Sequence, residues 1–227
     1  MRNVITYASS CSTFATFSGK AARQQYCEGA TEMAALREAE MRTEYLDFQF
    51  QPLRIEWLQP DGKWRRYTFD CASEMENGEL VFEEFKADAA QFEKGTTEAK
   101  LQAAKKVMSN YGIKVRCRDA SNLQHSSSHA AISSLWAWRR TTVEERHVER
   151  ARETIEARGG RVALGQLLEQ IDDNAHVAFG VTAALTMRRT VRIEFDQGPL
   201  LDASVTIPPE AVRGRLRSFL AKFEEEL

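Results

Sequence analysis

Asp70, and the pair Glu84 and Lys86 separated only by Phe85, are the residues whose types and spacing suit joint chemistry. Side chains alternate across a strand, so in a strand Leu80–Lys86 the Glu84 and Lys86 side chains share one face and Phe85 takes the other. Asp70 ends the preceding strand, and an antiparallel meander brings it beside Glu84. Two carboxylates bind hard divalent cations through oxygen. Such ions polarise a phosphodiester and lower the pKa of a bound water. A lysine beside that water and the phosphate orients the nucleophile and offsets developing charge. Acid–base pairs are also common on solvated strands. Here Val81, Phe82 and Phe85 in the same run argue for a buried setting.

The elements that must position these groups follow from periodicity. Residues 1–26 are polar and mildly basic, an ordered arm or a frayed tail. Residues 28–43, rich in Ala, Glu, Met and Leu, read as a helix. On it Glu32 shares a face with Ala35, Leu36 and Ala39 by i+3, i+4 and i+7 spacing, a carboxylate heading an apolar stripe; Glu28 and Glu40 are the alternatives. Leu53–Leu58 alternates, Pro60-Asp61-Gly62 turns, Trp64–Asp70 is a second strand, Asn77-Gly78 turns again, and Leu80–Lys86 is a third strand. Thr96 or Thr97 caps a helix through Tyr111, with Leu101, Ala104, Met108 and Tyr111 as its buried stripe and Gly112 just past its end. Ile113–Cys117 is a short strand. The stretch Ser121–Ala130, rich in Ser and His, reads as a loop, and Leu135–Trp138 closes a first domain over residues 1–138.

The second domain, residues 139–227, opens with Thr142 and Glu145 as a capping box on a helix that stops at Gly159-Gly160. Leu164–Ile171 and Ala175–Arg189 are further helices. Val191–Phe195 and Leu200–Ile207 form a hairpin about Asp196-Gln197-Gly198, and a charged helix follows Pro208-Pro209. Helices followed by a hairpin make a winged-helix pattern. Arg188-Arg189 would suit a DNA groove. Val177, Phe179, Val181, Leu185 and Met187 on the same helix point instead to packing and a protein-contact module.

The order helix–βββ–helix–β is that of restriction-endonuclease-like nucleases, and residues 16–122 resemble the endonuclease domain of TnsA-type transposase subunits. The resemblance rests on Phe17-Ser18-Gly19-Lys20, Glu32, Gln51-Pro52 nineteen residues after that Glu, Asp70, Glu84-Phe85-Lys86, the helix 97–111 and Arg118-Asp119. Phe69-Asp70-Cys71 stands where the family usually has Pro-Asp-Phe. The resemblance implies an α/β (α+β) fold, a PD-(D/E)xK core followed by a winged-helix-like domain that binds a partner. It implies a Mg²⁺-dependent DNA endonuclease using two ions, with Mn²⁺ as a substitute. Asp70 would be the central ligand, Glu84 the second and the Phe85 carbonyl a third; Glu32 would hold the second ion or its waters, and Lys86 would align the attacking water. It further implies a subunit of a heteromeric transposase that cuts the non-transferred strand at the 5′ transposon ends. Its partners would be DNA, a DDE-type integrase subunit and an AAA+ ATPase, at the bacterial nucleoid. A stand-alone phage, restriction or repair nuclease with the same core is the alternative, and a non-catalytic interaction module is the third reading.

Composition sets bounds on these readings. In 227 residues, 31 Lys+Arg stand against 33 Asp+Glu, a net charge of −2, which excludes a polybasic DNA-coating protein. The subunit reading therefore expects weak, salt-sensitive DNA binding by the isolated chain. Cys11, Cys27, Cys71 and Cys117 form no CxxC pair and are too sparse for a disulfide scaffold, as in a reduced, cytoplasmic protein. No stretch is apolar enough to span a membrane. His125 and His129, four apart, have three serines between them and no nearby acid or Cys to complete a zinc site, so they read as part of a loop. Lys63, Arg65 and Arg66 around Trp64, with Lys100, Lys105 and Lys106, are candidate phosphate contacts. Glu74, Glu76 and Glu79 read as a solvated loop.

Overall fold

The computed structural model describes residues 12–59, 61–195 and 198–224. In chain order the regular elements are β1 (Thr13–Ser18), β2 (Arg23–Glu28), α1 (Gly29–Met41), β3 (Tyr45–Phe50), β4 (Arg54–Leu58), β5 (Trp64–Thr68), β6 (Cys71–Met75), β7 (Leu80–Lys86), α2 (Gly95–Ser109), β8 (Lys114–Asp119) and α3 (Ala120–Leu123). Then come α4 (His129–Trp138), α5 (Glu145–Ala157), β9 (Arg161–Ala163), α6 (Leu164–Ile171), α7 (Ala175–Met187), β10 (Arg192–Ile193), β11 (Ser204–Thr206) and α8 (Arg215–Glu224). The fold is mixed α+β. The chain does not divide at a single point such as 138/139. One compact unit takes the residues up to Met33, Tyr45–His125 and those from Ala211 on; the other takes Ala34–Glu44 and Ser126–Glu210.

The first unit is built on a four-stranded sheet in the order β3-β6-β7-β8. β3 and β7 both run antiparallel to β6, and β8 runs parallel to β7. A parallel neighbour needs a crossover, and α2 supplies it. β7 is buried at six of its seven residues, as a strand covered on both faces should be. Leu101, Ala104 and Met108 of α2 pack with Phe69, Phe82, Ile55 and, from α8, Leu216 and Leu220. Gly112, at φ +67°, takes the left-handed turn between α2 and β8 that a side chain would resist.

Several expectations are corrected here. The strands 54–58 and 64–68 do not join β7 in a meander. Among the described residues they pair only with each other, as a hairpin inserted between the sheet neighbours β3 and β6. The segment after Ser12 is a β1–β2 hairpin and not a tail; residues 1–11 lie outside the described residues. Lys94, without a side-chain bond, stands at the start of α2 in place of Thr96 or Thr97, and Tyr111 is 58% exposed instead of buried. Glu74 is fully buried on β6. Its carboxylate accepts the N–H groups of Gly214, Arg215 and Leu216 at 3.1–3.2 Å, which satisfies the start of α8.

The second unit holds α4–α7 and an antiparallel sheet in the order β10-β11-β9. Leu135, Ile155, Leu164, Leu167, Ile171, Val181, Leu185 and Val205 form its core. Leu135 and its helix α4 thus belong here and do not close the first domain. His129 begins α4, and α3 shortens the expected loop further. Glu144 and His147 form the capping box of α5 in place of Thr142 and Glu145. The expected strand 200–207 is a 3₁₀ turn, Leu200–Asp202, followed by the short β11; Asp196 and Gln197 lie outside the described residues. α7 is buried at Ala178 and throughout Gly180–Met187, so its body is core and is not presented to a DNA groove. A Cβ on Gly180 would lie 2.5 Å from Thr141 Oγ1, so α7 packs there only because the residue is glycine.

Candidate active site

Asp70 sits in the junction between β5 and β6, and backbone bonds fix it there. Its N–H donates to the Glu83 carbonyl at 3.1 Å, and its own carbonyl accepts the Gln51 N–H at 2.9 Å. Cys71 pairs with Glu83, so the next step of the antiparallel register sets Asp70 against Glu84. The side chain closes the arrangement, because Phe85 N–H donates to Asp70 Oδ2 at 2.7 Å. Gln51 adopts φ +48°, an uncommon backbone state for a non-glycine residue, where the chain leaves β3 for the hairpin.

Glu84 and Lys86 leave β7 on one face, as alternation requires, and Lys86 Nζ pairs with Glu84 Oε1. Glu84 is 5% exposed, and its other oxygen, Oε2, is buried without a hydrogen-bond partner. Phe85 points the other way and stacks on Phe50, ring centroids 6.1 Å apart. Glu32, in the first turn of α1, is buried and accepts the Glu28 N–H at 2.9 Å. Helix α1 thereby carries a carboxylate toward the strand acids, and Glu28, the last residue of β2, adds its own charge nearby.

Burial and mutual charge shift the proton affinity of these groups together. The Glu32 carboxyl is pushed up to about 8, by burial first and then by the Asp70 charge, against the Glu28 N–H that lowers it. Asp70 rises to about 7, by burial and then by Glu84, although Lys86 and the Phe85 N–H oppose the shift. Asp70 keeps some exposed residue surface, yet its carboxylate is enclosed enough for burial to lead. For Lys86, burial favours the neutral amine, but Glu84 and Asp70 outweigh it and hold the ammonium above its ordinary pKa.

Among the described residues, the buried Glu32 and Glu84 and the enclosed Asp70 carboxylate share the Lys86 ammonium, and Glu84 Oε2 has no donor. That donor set suits a hard cation. Among the described residues, however, no three His, Cys, Asp or Glu side chains converge closely enough to enclose an ion as they stand. Asp70 and Glu84, with the backbone carbonyl of Phe85 between Glu84 and Lys86, are the groups that fit best.

Two neighbours were not legible as site residues. Tyr67, on the inner face of β5, has a buried hydroxyl without a hydrogen-bond partner. Burial and then the Glu84 charge hold its proton on. The phenol therefore stands beside Glu84, although the geometry falls outside a formed hydrogen bond. Its position three residues before Asp70 is the only sequence signal for it. The buried Cys27 thiol is likewise pushed up, by burial and then by Glu32 and Asp70. Asp119, opposite Lys86 in the register, spends its carboxylate on the start of α3, accepting Ser121 and Asn122 N–H at 2.9 and 3.2 Å. Lys63, Arg65 and Arg66 lie on the β4–β5 hairpin, in the stretch of chain that leads into Asp70, and Lys100 is exposed on α2.

No protein-family model matches this sequence, and no curated protein matches it at a significant level of similarity. Among the described residues no helix is long and apolar enough to cross a membrane.

Proposed function

We propose that this chain is a divalent-metal-dependent DNA endonuclease with a PD-(D/E)xK-type site at Glu32, Asp70, Glu84 and Lys86. The observation that carries this reading is the register that sets Asp70 against Glu84 while Lys86 pairs with Glu84 from the same strand face. The order α1, β3, β6, β7, α2, β8, with the hairpin as an insertion, supports it as a restriction-endonuclease-like core. Asp70 and Glu84, with the Phe85 carbonyl, would hold Mg²⁺ or Mn²⁺, and Glu32 a second ion or its waters; the ions would supply an activated water and a polarised phosphodiester. Lys86 stays protonated at neutral pH, so its ammonium orients the attacking water and offsets charge on the phosphate. Burial of the carboxylates keeps competing water away from that charge.

In the second unit the order α5, β9, α6, α7, β10, β11 supports a winged-helix-like module, and its buried α7 favours partner contact over base reading. The place in a heteromeric TnsA-like transposase, alongside an integrase and an AAA+ ATPase, rests on the sequence resemblance.

A plasmid-nicking assay with Mg²⁺, with and without the products of neighbouring genes, tests the reading. Wild type should nick, and Asp70→Ala and Lys86→Ala should each lose at least about 100-fold. Nicking only with partners supports the transposase subunit; nicking alone supports a stand-alone nuclease. Equal nicking by Asp70→Ala and wild type would refute the site, and Mn²⁺-independent silence under all conditions would favour an interaction module.

A further inference from the structure

The β4–β5 hairpin has two different faces. Ile55, Trp57 and Tyr67 turn inward onto the core of the first unit. The outer face presents Arg54, Glu56 and Leu58 on one strand and Trp64 and Arg66 on the other, all exposed. Leu58 and Trp64 are cross-strand partners next to the turn, and they remain 57% and 67% exposed. A paired Leu and Trp left in water at a hairpin tip is an apolar surface without a partner among the described residues.

Charge indicates what covers it. The hairpin carries Arg54, Lys63, Arg65 and Arg66 against Glu56 and Asp61, so it is net positive in a chain whose net charge is −2. Arg54 pairs with Glu56 at 2.9 Å and Arg65 with Asp61 at 3.0 Å. Lys63, next to Trp64, and Arg66, on the same strand face as Trp64, have no ion pair among the described residues. Two uncompensated cations beside an exposed indole form a surface for a polyanion that also offers flat rings, which is what nucleic acid is. A two-stranded ribbon also has the width of the B-DNA major groove.

We infer that the β4–β5 hairpin is the DNA-gripping arm of this chain, with Lys63 and Arg66 on phosphates and the Leu58–Trp64 pair against sugar or base surface. The inference deepens the nuclease reading and rests on it for the identity of the polymer. The chain runs straight from the tip into the site. Trp64 and Asp70 are six residues apart, which at about 3.3 Å per residue is at most about 20 Å. On duplex DNA that span is roughly six base pairs. The arm therefore contacts DNA within roughly six base pairs of the scissile phosphate.

The test is fluorescence anisotropy of the full chain with a labelled duplex at about 50 mM salt, in EDTA so that binding is read without cleavage. Leu58→Ser/Trp64→Ala should weaken binding about 10-fold. Lys63→Ala/Arg66→Ala should weaken it similarly and lower the slope of log K against log[salt] by about 2. Unchanged melting temperatures show that the exposed substitutions leave the fold intact. Variants that bind DNA like wild type overturn the arm, as does loss of a self-association, seen by sedimentation, in place of a loss of DNA binding. Nicking with Mg²⁺ is scored separately. Normal nicking by hairpin variants at limiting protein overturns the arm and leaves the nuclease reading intact. Hairpin-dependent binding by a wild-type chain that never nicks leaves the arm and overturns the nuclease.

Discussion

The backbone N–H of Phe85 donates to Asp70 Oδ2 at 2.7 Å, so one strand's main chain holds the acid of the junction that precedes its neighbour. An Asn at position 70 can still accept that bond through its amide oxygen, while losing the charge that a cation needs. Asp70→Asn should therefore keep the wild-type melting temperature, or exceed it because one of three crowded carboxylates is gone. Its Mn²⁺ binding by calorimetry should fall at least about 10-fold. A large loss of stability would show that the charge itself serves the fold.

The raised carboxyls give the metal-free protein a pH signature. A carboxyl with a raised folded pKa keeps its proton while the unfolded chain has released it. Stability is then fullest below the unfolded value and falls as pH rises through the folded one. For Asp70 the window runs from its ordinary value of 3.8 to about 7. For Glu32 it runs from 4.5 to about 8. Thermal melts in EDTA should therefore drop by several degrees across these windows from the site's contribution, of the order of 1–3 kcal/mol, and level off above them. Added Mg²⁺ should flatten the slope in wild type and have no such effect in Asp70→Asn. A slope of the same size in Asp70→Asn/Glu32→Gln would assign it elsewhere.

Tyr67 separates stability from function. Tyr67→Phe keeps the edge contact with Phe69, at 5.0 Å between centroids, and removes only a buried hydroxyl that has no hydrogen-bond partner. A purely structural role predicts equal or higher stability, by up to about 1 kcal/mol, and unchanged nicking. If the phenol orients Glu84, stability is still kept, but kcat for nicking falls about 10-fold with little change in KM.

Glu74 makes a claim about the chain's far end. Its carboxylate holds three N–H groups at the start of α8, about 140 residues away in sequence. Glu74→Ala should cost about 2–4 kcal/mol, because three donors and a helix start lose their acceptor. Glu74→Gln, which keeps one acceptor oxygen, should cost less. Limited proteolysis near Arg213–Arg217 should accelerate in the alanine variant first.

What the sequence shows of this molecule depends on the range of the interactions. β7 announces itself through Val81, Phe82 and Phe85, and Glu84 and Lys86 fall on one face by alternation alone. Helix α7 starts at a short-range signal, Asn174 capping it through the His176 and Val177 N–H groups. β6 is different. Its sequence, Cys71-Ala72-Ser73-Glu74-Met75, is small and polar, and it becomes a central strand because β3 and β7 flank it and N–H groups at the start of α8 satisfy the Glu74 carboxylate. No local pattern records an acceptor whose donors lie at the other end of the chain. β3 is hidden for a related reason, since Asp47 is buried there by Arg23 and by Arg217, at 3.4 Å. At the site, the acids and the lysine were legible from spacing, whereas Tyr67 was not, because what marks it is an unpaired hydroxyl facing Glu84.

The hairpin leaves β3 and returns into β6 at a clamped base. Phe50 pairs with Cys71, Gln51 N–H meets the Asp70 carbonyl, and Ile55 faces Tyr67 across the ladder. Beyond Trp57, the last hairpin residue packed on the core of the first unit, changes of length or residue type should leave Asp70 set against Glu84. The excursion is thus a cassette, in which reach along a bound polymer and the chemistry at its root are free to diversify independently.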